Sequence, residues 1–453
     1  MHPVLLLDDV LRQMFDFCPK SSLPVVARTC KSWKDPALDC VWSHLGSLVP
    51  LLRLIPGLIC VDGVYNVEGP LHLGVFNSYA YRIQHITQRH NTRLHPKILH
   101  VLCANGTPLT RLTTTRLSST DLDCVPAALS LSAGLRQLDL DFGFKRKEPG
   151  MHDDYIETLI RVATNVERVR LRGLADQRLN SAISQMSNLC SLSLRTGPFL
   201  TAETLAAIST FPSLSELEIE AGHIDIDTLV EAWSLSSTCR DSAPTHFRAL
   251  KKLHICAQAP LLELVLKTIP PYLHTLRIEA TTPAGSPPVD WSSLFDVITT
   301  HAIHDLTIEQ HLDDIDLDTT AATSTSANTQ HSYSNNRITF DLIRRLAPLR
   351  YLHHLTIDTT FIPILSDQDI EALAAWWPDL AHLDLGSLHS SECLPSTGSP
   401  PRNVSLFASF RLLDAEIANP HFAGRPQRRT GPDDLRHGVQ RVVESHVLIF
   451  RSS

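Results

Sequence analysis

Nine short segments share one pattern: an apolar residue, two variable residues, an apolar residue, one variable residue, an apolar residue. They begin at Leu135, Val166, Leu189, Leu214, Leu250, Leu273, Ile303, Leu352 and Leu380. A pattern kept at a long period implies stacked supersecondary units, none of which can bury its apolar face alone. The fourth positions (Leu138, Val169, Leu192, Leu217, Leu253, Leu276, Leu306, Leu355 and Leu383) lie 23 to 49 residues apart. The shorter gaps suit one strand and one helix, and the longer ones carry insertions. Alternating apolar residues make each motif a strand. Helical spacing follows between strands: Ile156, Leu159, Ile160 and Ala163; Leu261, Leu262, Val265 and Ile269; and Ile370, Leu373, Ala374 and Trp377, with Ser366 and Asp369 placed as a capping box.

This pattern resembles the leucine-rich repeat family over residues 98–419. The expected fold class is therefore α/β, a leucine-rich-repeat-like solenoid with a curved parallel sheet and outer helices. ILHVLC (98–103) reads as a degenerate first strand and RLLDAEIAN (411–419) as a degenerate last one. Segments 318–337 and 387–403 are polar, low-complexity inserts expected to be mobile, and 420–453 is a C-terminal tail.

Residues 1–47 differ in character. Three helical faces follow one another: Val10, Leu11, Met14 and Phe15; Leu23, Val26, Ala27, Cys30 and Trp33; Leu38, Val41, Trp42 and Leu45. The stretches LLLDDVLRQMFDF (5–17), LPVVARTCKSW (23–33) and PALDCVW (36–42) resemble the F-box, with Leu7–Asp8 standing where the family has Leu–Pro. With the repeats behind it, the chain resembles a fungal F-box protein of the basidiomycete type. Residues 48–97 are expected to form a helical linker or cap.

The resemblance implies a non-catalytic receptor subunit of a Skp–cullin–F-box ubiquitin ligase. Its partners would be a Skp-type adaptor with its cullin, and a protein substrate. Leu7, Leu11, Phe15, Leu23, Trp33 and Trp42 are the candidate adaptor-binding residues, although the aromatic side chains can equally fill the module's own small core. A scaffold that binds a partner without ubiquitination is the alternative reading. A GTPase-activating solenoid presenting an arginine is a third.

The third, fifth and seventh motif positions face the opposite side from the buried leucines. There the second motif places Arg168, Arg170 and Arg172, the fourth Glu216, Glu218 and Glu220, and the sixth Arg277. These are the candidate substrate-binding residues. The arginine and glutamate strips lie two strands apart, so the face would be dipolar, able to orient a charged partner or capture a phosphorylated segment. The bland reading is that these charges are simply solvated.

No phosphate-binding glycine loop, nucleophile elbow or zinc-protease helix is present, and the ten cysteines contain no C-x-x-C pair. No enzyme activity, cofactor or metal is expected. The aspartates 313, 314, 316 and 318 lack the glycine and glutamate of a calcium loop. A net charge of -8 argues against nucleic acid, and the apolar run at 48–61 is too broken to span a membrane. No secretory leader is read at the start, and unpaired cysteines suit a cytoplasmic or nuclear setting.

Overall fold

A computed structural model of the chain describes residues 7–88, 92–103, 108–117, 127–143, 153–174, 177–236, 246–282, 289–312, 338–359, 363, 365–386 and 448–449. The chain divides into two compact units, Met1–Thr281 and Thr282–Ser453.

The first unit opens with three helices, α1 (Asp8–Asp16), α2 (Leu23–Thr29) and α3 (Lys31–Trp42), followed by β1 (His44–Leu45). Leu11, Phe15, Leu23 and Ala37 form the centre of the helical core, with Val26, Ala27, Trp33, Cys40 and Val41 around it. Residues 48–97 were expected to be helical, yet they hold four strands beside two short helices: β2 (Leu58–Val61), β3 (Val64–Val67), β4 (His85–Gln88) and β5 (Arg93–Leu94). Strands β2, β3 and β5 make a small separate sheet, whereas β4 joins the main one.

Next come β6 (Thr114–Leu117), β7 (Gln137–Asp141), β8 (Arg168–Arg172), β9 (Ser191–Arg195), β10 (Glu216–Glu220), β11 (Lys252–Ala257) and β12 (Thr275–Thr282). In hydrogen-bonded order the main sheet of this unit runs β1-β4-β6-β7-β8-β9-β10-β11-β12. Every adjacent pair in that run is parallel. Parallel neighbours need a crossover. Helices 153–162, 177–184, 202–209, 226–236 and 259–268 supply those between β7 and β12.

Register explains why the motif is strict. Leu138, Val169, Leu192, Leu217, Leu253 and Leu276 are successive partners across the sheet. None of the six is more than 3% exposed. The sixth positions, Leu140, Leu171, Leu194, Ile219, Ile255 and Ile278, form a second buried row at 0–2% exposure. A one-residue slip would turn both rows to the other face, so a charged position between two leucines fixes the register.

The second unit contains β13 (Asp305–Leu312), β14 (His354–Asp358), β15 (His382–Asp384) and β16 (Leu448–Ile449). Strands β13, β14 and β15 are parallel neighbours, and β16 pairs antiparallel with β15. Helices 340–345 and 367–376 are the crossovers. All nine motifs are therefore strands, six in one unit and three in the other.

ILHVLC is not a strand. Pro96 starts a helix that runs to Cys103, and Ile98 and Leu102 are buried one turn apart. The strands that do precede the first motif, β4 and β6, carry polar residues where the pattern asks for leucine. Gln88 and Thr115 are fully buried, but each is satisfied. Gln88 Nε2 donates to Thr92 Oγ1 at 2.6 Å and its Oε1 accepts from the Leu48 amide at 3.0 Å. Thr115 Oγ1 donates to the Ser130 carbonyl at 2.7 Å. The segments 318–337, 387–403 and 411–419 lie outside the described residues.

Candidate binding face

Alternate residues of the first unit's strands form a continuous polar face. Two rows cross it in register. One reads Gln137, Arg168, Ser191, Glu216, Lys252, Thr275; the other reads Arg116, Asp139, Arg170, Ser193, Glu218, His254, Arg277. Arg168 and Arg170 on β8 and Glu216 and Glu218 on β10 are thus two strands apart, about 10 Å. Ser191 and Ser193 lie between them. Short side chains flanked by long ones leave a groove of about 550 Å³ that both rows line.

The acidic side of the groove is matched by the chain's own donors. Glu218 accepts from Ser193 Oγ at 2.5 Å and from Arg195 Nε at 2.5 Å, and it pairs with His254 Nδ1 at 3.2 Å. The hydrogen bond from His254 holds the Glu218 carboxyl far below the usual carboxylate range; burial opposes it, and Ser193 and Arg195 add to it. On the other side of the ring, His254 Nε2 reaches Glu279 Oε1 at 2.5 Å, which lowers the Glu279 pKa as well. Burial works against a charge on His254, but its hydrogen bonds to the two carboxylates outweigh it and its pKa is raised. Lys252 Nζ meets Glu216 at 2.9 Å, and the Gly197 amide donates to Glu220 at 3.2 Å. Arg277 lies 3.4 Å from Glu279.

The basic side differs. The guanidinium groups of Arg168 and Arg170 project outward from β8 and enter no hydrogen bond or ion pair among the described residues, whereas Arg172 is engaged. The expected dipolar face is therefore modified. Its glutamates are hydrogen-bonded, whereas the two arginines act on their acidic neighbours only at longer range: Arg170 lies opposite Asp139 in register, and the Lys252 hydrogen bond lowers the Glu216 pKa with help from Arg168. Such a pair can take a carboxylate or phosphate bidentately. His254, Ser193 and Arg195 were not singled out from the sequence. The signal for His254 was its motif position, the fifth, which places it beside Glu218 in register.

The six candidate adaptor residues fall into different places. Leu11, Phe15 and Leu23 are 0%, 4% and 2% exposed. These three hold the helical module together, which corrects their assignment as a contact surface. Trp33 packs edge-on against Phe15, with ring centroids 5.9 Å apart, and Trp42 lies 4.8 Å from Tyr79. Leu7 is exposed, as are Met14, Phe17 and Val25. Asp39 on α3 is buried between Arg12 of α1, at 2.5 Å, and Arg82, which also reaches Asp35 at 2.7 Å. That ion cluster fastens α1 and α3 to the segment that leads into β4.

No family model and no curated protein matches the chain. A solved structure of a leucine-rich repeat protein from Leptospira interrogans is similar at 12% identity, covering 74% of this chain and 98% of that one, with a TM-score of 0.28. A likeness that low carries no argument about this protein. Among the described residues no helix is long and apolar enough to cross a membrane.

Proposed function

We propose that this protein is a non-catalytic receptor whose repeats form a leucine-rich-repeat solenoid and whose sheet face holds an acidic or phosphorylated segment of a protein client. One observation carries the reading: among the described residues Arg168 and Arg170 make no hydrogen bond or salt bridge, beside glutamates that do. A hydrogen-bonded charge pair inside a groove has little left to offer a ligand, whereas an arginine pair without hydrogen bonds gains charge-assisted ones on binding.

The N-terminal helices extend this reading. Their resemblance to the F-box makes the chain the substrate-recognition subunit of a Skp–cullin–F-box ubiquitin ligase, which acts by proximity and performs no bond chemistry. Exposed Leu7, Met14, Phe17 and Val25 are the apolar residues such an adaptor would meet. The alternative is a scaffold not committed to ubiquitination. Burial of Leu11, Phe15 and Leu23, and the Asp39–Arg82 tie, favour it to the extent that the module packs on its own chain.

Affinity purification separates the two readings. Full-length protein should bring down an adaptor, a cullin and a client. Deleting residues 1–47 should lose the first two and keep the client. Arg168→Ala with Arg170→Ala should do the reverse. Client capture unchanged in the double variant would remove the groove from recognition. A client whose lifetime is indifferent to the cullin would leave the scaffold.

A further inference from the structure

The second unit has a pocket of its own, of about 750 Å³, at the C-terminal ends of helices 340–345 and 367–376. It is lined by Arg344, Arg345, Arg350 and Trp376, together with Pro348, Pro378 and two alanines. Among the described residues no carboxylate lines it. Arg344 and Arg345 occupy a last helical turn, where cations suit the helix dipole. Arg345 is also matched, because Asp296 takes its Nη1 at 2.7 and 2.8 Å. Arg350 belongs to the loop beyond and serves no helix end. Neither it nor Arg344 makes a side-chain hydrogen bond or ion pair among the described residues.

The aromatic wall is held in place from behind. Trp376 stacks on Phe340 with ring centroids 5.4 Å apart and planes at 20°, and Trp377 meets it edge-on at 6.0 Å. Trp377 is anchored in turn, its Nε1 donating to the Leu346 carbonyl at 3.3 Å. A fixed indole beside two unmatched guanidiniums offers apolar contact and anion capture together, at little cost in side-chain ordering. Pro348 and Pro378 have no amide to donate, and the guanidiniums are the charged donors in the pocket.

We infer that this pocket is a docking site for a short acidic peptide segment of a partner protein, one that places a ring or apolar side chain on Trp376 and carboxylates on Arg344 and Arg350. Charge complementarity selects the occupant. A net charge of -8 on the whole chain disfavours a long polyanion such as nucleic acid, whereas a short acidic segment needs only the local cations.

The test uses full-length protein and a fluorescein-labelled peptide of alternating Glu and Tyr, read by anisotropy. Saturable binding is expected, weakened by added salt. Arg344→Glu with Arg350→Glu should weaken it by on the order of tenfold or more per arginine. Neither side chain makes a hydrogen bond or ion pair among the described residues, so the fold should persist, as circular dichroism would verify. In an Arg168→Ala, Arg170→Ala background, which removes the proposed sheet-face site, the peptide should still bind, and Arg344→Glu with Arg350→Glu should still weaken it. Equal affinity in the Arg344/Arg350 variant overturns the inference, as does a loss confined to the Arg168/Arg170 variant. Tighter pocket-dependent binding of an oligothymidylate of the same length overturns it too, in favour of single-stranded nucleic acid.

Discussion

Asp39 shows how one side chain can decide whether a small helical module is free or fastened. Its carboxylate is 8% exposed and serves Arg12 and Arg82 together. Removing one partner of a buried ion pair is far costlier than replacing the pair, because the remaining charge stays buried. Asp39→Asn is therefore expected to destabilise the packing of α1 and α3 by about 3 kcal/mol. Faster amide exchange in those helices, with the β10 and β11 amides unaltered, is the readout. Unchanged exchange in α1 would mean that water replaces the carboxylate and the tie is dispensable. At this scale the sequence was only partly legible. Asp39 lies within an amphipathic helix, where it reads as solvated. Nothing local reveals that Arg82, 43 residues on, folds back onto it. His254 was hidden in the same way, since its partners Glu218 and Glu279 come from two other repeats.

Elements were far more legible, because their signals are local. The capping box read at Ser366 and Asp369 is present. The Asp369 amide donates to Ser366 Oγ at 3.3 Å, and the Ser366 amide donates to Asp369 Oδ2 at 2.8 Å. Ser366→Ala should cost the helix 367–376 about 1 kcal/mol. The loss should be concentrated in its first turn and visible as earlier amide exchange there; protection equal to that of the parent would show that tertiary packing alone holds the helix start. The nine motif strands were equally plain, since each repeats the same alternation. Strands β4 and β6 were missed because buried Gln88 and Thr115 interrupt the apolar pattern and are satisfied only by groups elsewhere in the chain. ILHVLC misled for the opposite reason. Its apolar residues suit either period, and Pro96 at the helix start decided.

At the scale of the molecule, the polar face couples charge to pH. The His254 pKa is raised above the ordinary 6.5 by Glu218 and Glu279. The protonated ring is thus favoured in the folded state, and its contribution to stability is fully present below pH 6.5 and lost as pH rises through the raised value. The midpoint of thermal unfolding of the first unit should fall as pH rises above 6.5, and His254→Phe should flatten that slope. An acidic client should also bind less tightly over the same range, because a neutral ring leaves two carboxylates less compensated. A slope unchanged in the Phe variant would assign the pH dependence to another group.

The amino-acid sequence by itself determined the nine motif strands, three of the crossover helices and which residues of those strands are buried. Those properties follow from spacing within some ten residues, which the backbone periods of helix and strand read directly. Only the tertiary structure decided which charges are spoken for. Pairing across a sheet depends on register between repeats more than 20 residues apart, and on whether the side chain opposite is an acid, a serine or nothing. The same face that reads as balanced arginines and glutamates becomes, once stacked, a hydrogen-bonded acidic strip beside two arginines whose guanidiniums make no hydrogen bond among the described residues.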